Sequence, residues 1–305
     1  MSHGADSLKS IFFALGANIV VAISKYVAAF ITGSGSMLAE AIHSTADTGN
    51  QILLLVGMKQ AKRPPNQNYP LGYGKAIYFW SFIVALMLFS IGGMFSVYEG
   101  IHKLDSTDTI EMPIVAITVL IISIFAEGTA LWGAYREVRK DLNGRSLLKW
   151  FKETRRSELI ILLGEDSAAI VGLTFALGAI LLTVYTGNPV YDAFGGIMIG
   201  VLLIIVAFFV GKEIMSLLIG EGVEPQTEIE MSDFINSLED VDTLLNIVTL
   251  QLGNDVMLSV KVKMQPANSG VALVKMINAA EVLIKKRFPE VLWLFFEPDI
   301  TDDNE

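Results

Sequence analysis

The stretch IMIGVLLIIVAFFVG, Ile197–Gly211, runs for fifteen residues without one that ionises. A helix crosses the hydrocarbon of a bilayer with about 20 such residues, and the chain offers six segments of that kind. They fall at roughly 8–32, 36–59, 76–101, 112–135, 157–185 and 190–218. Hydrophobic residues make up 52% of the 305, above what an ordinary soluble domain carries. The expectation is a polytopic α-helical membrane protein with six transmembrane helices, over residues 1–220. The N-terminal MSHGADSLKS is short, not basic, and leads into Ile11-Phe12-Phe13 without a small-residue cleavage site. A retained first span is expected rather than a removable signal peptide.

The connections give the orientation. The loop between spans two and three holds Lys59, Lys62, Arg63 and Lys75. The loop between spans four and five holds Arg136, Arg139, Lys140, Arg145, Lys149, Lys152, Arg155 and Arg156. The alternate connections are GSGS, the acidic EGIHKLDSTDTIEM and YTGNPVYD. The positive-inside rule puts both basic loops in the cytoplasm, and with six spans both termini follow. That arrangement suits a prokaryotic plasma (inner) membrane.

After Gly220 the pattern changes. EPQTEIEMSDFINSLEDV has a helical period, with a proline near its start. NIVTLQL and VMLSVKVKM alternate like strands around the turn Gly253-Asn254-Asp255. VALVKMINAAEVLIKKRF is again helical and VLWLFF reads as a strand. The order α-β-β-α-β predicts a small cytosolic α+β domain over residues 221–305. The formal charge of −10 belongs to this tail, where about sixteen Asp and Glu outnumber six Lys and Arg. Nothing resembles a basic nucleic-acid footprint, so no nucleic-acid partner is expected. Cysteine is absent, which excludes disulfides, thiol nucleophiles and cysteine-based zinc sites.

Span two breaks the apolar rule. In AEAIHSTADTGNQ the residues Glu40, His43, Asp47 and Asn50 fall at helical spacing on one face, and Ser36 extends the stripe outward. An ionisable group in mid-membrane costs on the order of 2.5–3.5 kcal/mol on insertion scales, so such a group points to function. Span five supplies a partner, with Glu165 and Asp166 inside LLGEDSAA. Adjacent helical positions point about 100° apart, so one of the two carboxylates is expected to face His43 and Asp47. An imidazole with two or more carboxylates on two packed helices is a ligand set for a divalent metal. Glu127 in span four and Glu99 in span three read equally as vestibule or packing groups. Lys25 in span one either snorkels or pairs with an acid. Asp192, before span six, reads as a helix N-cap.

GSGSMLAEAIHSTADTGNQ, the loop segment YPLGYGKA, six spans with a basic four-five loop and the α-β-β-α-β tail together resemble the cation diffusion facilitator family. The resemblance covers nearly the whole chain. It implies a homodimer that exports divalent cations, zinc first, in exchange for protons, with two site residues on span two and two on span five. Carried onto this sequence, these are His43, Asp47 and Asp166. Leu162 stands where the family usually has a histidine, and Glu165, Asn50 or water is left to complete the set. LLGEDSAAIVG is similar to the zinc transporter 9-like subgroup, in which Glu-Asp occurs without that histidine. Tyr69 replaces the usual histidine of the two-three loop, and the tail has neither His nor Cys, so the resemblance implies dimerisation rather than metal binding there. The metal enters as substrate and H⁺ as counter-ion, with no resident cofactor. An oxygen-richer site relaxes selectivity from Zn²⁺ toward Mn²⁺, Fe²⁺ or Co²⁺.

Other classes stay open on the residues alone: a proton-coupled carrier of an organic solute, or a non-transporting membrane protein whose tail binds a partner. An enzyme is disfavoured, because no nucleophile–base pair or phosphate-binding glycine loop stands out and GYGKA lacks the Walker spacing.

Overall fold

Residues 3–105, 110–142 and 144–301 are described by a computed structural model. Helices α1 (His3–Thr32), α2 (Gly35–Ala61), α3 (Ala76–Met87), α4 (Phe95–Leu104) and α5 (Pro113–Asp141) come first. A π-helical segment, Leu88–Met94, joins α3 to α4 into one span of 29 residues. The short α6 (Leu147–Glu153) precedes α7 (Ser157–Thr186) and α8 (Val190–Ile219). The tail follows as α9 (Pro225–Asn236), β1 (Val241–Leu252), β2 (Asp255–Met264), α10 (Gly270–Arg287) and β3 (Val291–Pro298).

Contacts divide the chain into two compact units. The first comprises Met1–Val56, Trp80–Ser146 and Ser157–Ile214. Among the described residues, four helical segments, Ala76–Leu104, α5, α7 and α8, are long and apolar enough to cross a membrane. α1 adds an apolar stretch at Asn18–Thr32, and α2 is diluted by its polar stripe. Bulky apolar side chains turn outward around this unit, Phe125 being 73% exposed. Such a surface is stable in lipid and not in water. The protein is an integral membrane protein.

Small residues set the inner packing. A Cβ on Gly200 of α8 would lie 2.7 Å from the Gly93 carbonyl oxygen. The span containing the π-helical segment therefore meets α8 backbone to backbone, as membrane helices do where glycines align. The start of α2 is held by a residue far along the chain. Asp192, in the first turn of α8, accepts from the Gly35 amide at 2.5 Å, the Ser36 amide at 3.3 Å and the Ser34 hydroxyl at 2.7 Å. The Ser36 hydroxyl donates to it as well. Asp192 thus caps the start of α2 rather than its own helix, beside Ser34, whose hydroxyl accepts from the Met37 amide at 3.2 Å. Asn188 serves α8 instead, accepting from the Val190 amide at 3.0 Å.

The second unit comprises Gly57–Phe79, Leu147–Arg156 and Met215–Glu305. Its sheet has the order β1-β2-β3, with β1 and β2 an antiparallel hairpin and β3 parallel to β2 across α10. Alternation in VMLSVKVKM turns Val256, Leu258, Val260 and Val262 inward onto Met231 and Ile235 of α9 and Ala280 and Ile284 of α10. Gly253, at φ +71°, opens the two-residue hairpin turn, where an L side chain would be strained. Ser269 caps α10 by accepting from the Ala272 amide at 3.1 Å. The helix α9 stops at Asn236, short of the helical period read through Val241, and β1 begins at Val241 rather than Asn246. The reason is pairing: Val241 and Leu244 meet Met264 and Val262 across register shifts that interrupt the alternation.

The pieces outside the tail join this unit by close contact. A Cβ on Gly74 would fall 1.8 Å from the Leu252 carbonyl oxygen. Arg155 pairs with Glu221 and donates to the Gly222 carbonyl at 2.7 Å.

Candidate metal centre

Ser36, Glu40, His43, Asp47 and Asn50 follow one face of α2, and that face is buried in the first unit. Ser36, Glu40, His43 and Asn50 are fully buried, and the Asp47 side chain is 16% exposed. His43 Nδ1 lies 3.4 Å from Asp47 Oδ1, an i,i+4 pair close enough for ionic contact but without hydrogen-bond geometry. Neither imidazole nitrogen has a hydrogen-bond partner among the described residues, and Asp47 Oδ1 and Asp166 Oδ2 share that condition. Buried polar atoms are seldom left so, since each unsatisfied group costs on the order of 1–3 kcal/mol.

On α7, Glu165 is buried and accepts from the Asn50 side-chain amide. Asn50, weighed as a ligand, has committed its NH₂ group to that contact and keeps Oδ1 free. Beside them lies a cavity of about 230 Å³ between α1, α2, α5 and α7. Asp47, Glu127, Glu165 and Asp166 line it, together with Leu162 and Ser44. Both Glu165 and Asp166 reach it, where one of the two was expected, because a cavity walled by four helices accepts side chains pointing about 100° apart.

His43 is beside this cavity rather than in its lining. Among the described residues no three His, Asp or Glu side chains draw together closely enough to enclose an ion. The four acids ring a space, and no Lys or Arg lines it. Glu127, ambiguous in the sequence, belongs to that ring; its signal was an isolated acid within the apolar run IISIFAEGTALW. Lys25 pairs with an acid instead of snorkelling, its Nζ standing 3.1 Å from Glu40 Oε2 and 2.8 Å from Ser44 Oγ.

A site rich in carboxylates with one nearby imidazole attracts divalent cations and protons alike. A family model described as the cation efflux transmembrane domain matches residues 11–219. The chain belongs to the cation efflux family.

This cation efflux protein is 34% identical over 231 residues to the "Proton-coupled zinc antiporter SLC30A9, mitochondrial" of Xenopus laevis, covering 75% of this chain and 41% of the relative. The human protein of the same name is 31% identical over 247 residues, 80% of this chain and 44% of the relative. "Metal tolerance protein C4" of Arabidopsis thaliana is 29% identical over 249 residues, 81% and 54%. The chain thus spans about half or less of the length of these relatives. The likeness to SLC30A9 agrees with the subgroup read from LLGEDSAAIVG. The family is one of transport domains rather than of enzymes.

Proposed function

We propose that this protein exports a divalent metal cation, zinc first, from the cytoplasm in exchange for protons. The cation is held between α2 and α7 by His43, Asp47 and Asp166, with Glu165 close by. The observation that carries this reading is the set of unpartnered buried atoms on His43, Asp47 and Asp166 beside a cavity ringed by acids.

Coupling follows from shared ligands. A metal binds neutral imidazole and ionised carboxylate, so protons and metal compete for the same atoms. Protons arriving from outside release the ion outward, and cytoplasmic metal displaces the protons inward. Basic loops orient the chain with both termini in the cytoplasm. Residues 1–220 form the transport domain, and residues 221–305 form a cytosolic domain through which two copies associate. With one nitrogen among several oxygens, Mn²⁺, Fe²⁺ and Co²⁺ are secondary substrates.

Vesicles reconstituted with the full chain test this. Zn²⁺ uptake should follow an imposed pH gradient, and each ion should be accompanied by counter-movement of protons. Asp47→Ala and Asp166→Ala should each cut uptake at least about tenfold, the loss of roughly 1.4 kcal/mol or more of ion binding. Unchanged uptake in both variants sinks the site, and uptake without proton movement sinks the antiport. Proton flux driven by an organic solute instead of a metal would turn the carboxylates into carriers for another substrate.

A further inference from the structure

Glu40 takes no part in the site proposed above, yet it is fully buried one turn from His43. Its Oε2 receives the Lys25 ammonium at 3.1 Å. Its Oε1 has no hydrogen-bond partner among the described residues. That free oxygen faces Gly172 of α7, where a Cβ would lie 2.7 Å from it, so the carboxylate has room because residue 172 lacks a side chain. A buried ion pair kept for stability alone should satisfy the remaining lone pairs of its carboxylate.

The free atoms form a file. Glu40 Oε1, the two His43 nitrogens and Asp47 Oδ1 follow one another along one face of α2, all without hydrogen-bond partners. Ser44, whose hydroxyl receives Lys25 at 2.8 Å, is also a lining residue of the acidic cavity. The ammonium therefore lies between the cavity and Glu40. An ion leaving the cavity toward the Gly35 end of α2 meets His43 first and Glu40 next.

From this arrangement, and resting on the transport reading, we infer that Glu40 is a second station for the divalent cation and that Lys25 is a tethered cation holding it in the ion's absence. A divalent ion and an ammonium repel strongly at contact distance in a low-dielectric interior. The ion displaces Lys25 on reaching Glu40, and Lys25 returns to the carboxylate as the ion departs, opposing the backward step.

The test uses the full-length protein and Zn²⁺, with equilibrium binding in detergent and initial rates in vesicles. Glu40→Gln should bind Zn²⁺ within about twofold of wild type while turnover falls at least about tenfold, a kcat effect without a binding effect. Lys25→Met should bind Zn²⁺ at least about fivefold more tightly while turnover also falls, because the freed carboxylate retains the ion. Lys25→Arg should restore both, and the uncharged pair Lys25→Met with Glu40→Gln should resemble Glu40→Gln alone. Wild-type turnover in Glu40→Gln overturns the inference, as does loss of Zn²⁺ binding together with flux. Unchanged or weaker binding in Lys25→Met, in protein that elutes as wild type by size exclusion, overturns the tether. If Lys25→Met does not fold, the double variant decides: wild-type turnover there overturns the station and reduced turnover with intact binding upholds it. Wild-type protein that neither binds nor moves Zn²⁺ overturns the transport reading as well; an unchanged Glu40→Gln beside an active wild type overturns this inference alone.

Discussion

The Asn50 side chain of α2 donates its amide to the Glu165 carboxylate of α7, both groups buried. That contact ties the two helices carrying the candidate ligands, and it fixes which oxygen of Glu165 is committed. Removing the donor leaves a buried carboxylate oxygen unanswered. Asn50→Ala should destabilise the protein by about 1 kcal/mol, the usual order for a polar contact between membrane helices. A thermal melt in detergent checks this; an unaltered midpoint would show that the contact is not needed.

Leu162 lines the cavity one helical turn before Asp166, where it presents carbon to the acids. Leu162→His adds a second nitrogen at that position. Zinc favours imidazole more than manganese does, so the preference for Zn²⁺ over Mn²⁺ should rise about tenfold in competition binding. A ratio that stays constant would place residue 162 outside the ligand sphere.

Asp192 answers two backbone amides and two hydroxyls at the start of α2. Asp192→Ala should cost about 1–2 kcal/mol, as the loss of a helix cap does. Asp192→Asn keeps an acceptor and should cost less. Melting midpoints of the two variants give the order, and equal midpoints would deny Asp192 its capping role.

In the tail, the Ile300 amide and then Lys261 hold the Asp299 carboxyl below its ordinary value of 3.8. An acid with a lowered pKa in the folded state adds stability above its unfolded value and loses it as pH falls through the folded one. The stability lead of wild type over Asp299→Asn should therefore be present at neutral pH and vanish in acid. Asp255 has the opposite sign, since burial raises it above 3.8. Its penalty grows as pH rises past that value, so Asp255→Asn should match or exceed wild type at neutral pH. Urea titrations across pH read both; a lead for Asp299 that grows in acid would contradict the assignment.

Several span ends are legible because apolar runs stop where charge and turn residues begin, but α5 continues to Asp141, past the expected end at 135. The apolar run predicts a fifth span over 157–185, and α7 runs Ser157–Thr186. The stripe on α2 was legible from helical spacing, since burial of Glu40 and His43 follows from one face. Partners across helices were less so. The sequence leaves Lys25 two roles, which Glu40 beside it decides, and it assigns Asp192 to span six whereas its partners are at the start of α2. Spacing within one segment carries no record of which distant segment packs there. The start of β1 was hidden for a different reason: register shifts after Val241 and Leu244 break the period of two that marks a strand.

The tail sheet is built from tail sequence, but the unit that holds it is not built from that sequence alone. Gly74 sits against Leu252, Arg155 holds Glu221 and Gly222, and Lys75 donates to the Leu218 carbonyl at 3.4 Å. Anyone grafting this tail onto another membrane protein would therefore have to move three separated pieces together, residues 57–79, 147–156 and 215–305. A fusion cut at the last membrane helix would carry the sheet away from its own seat.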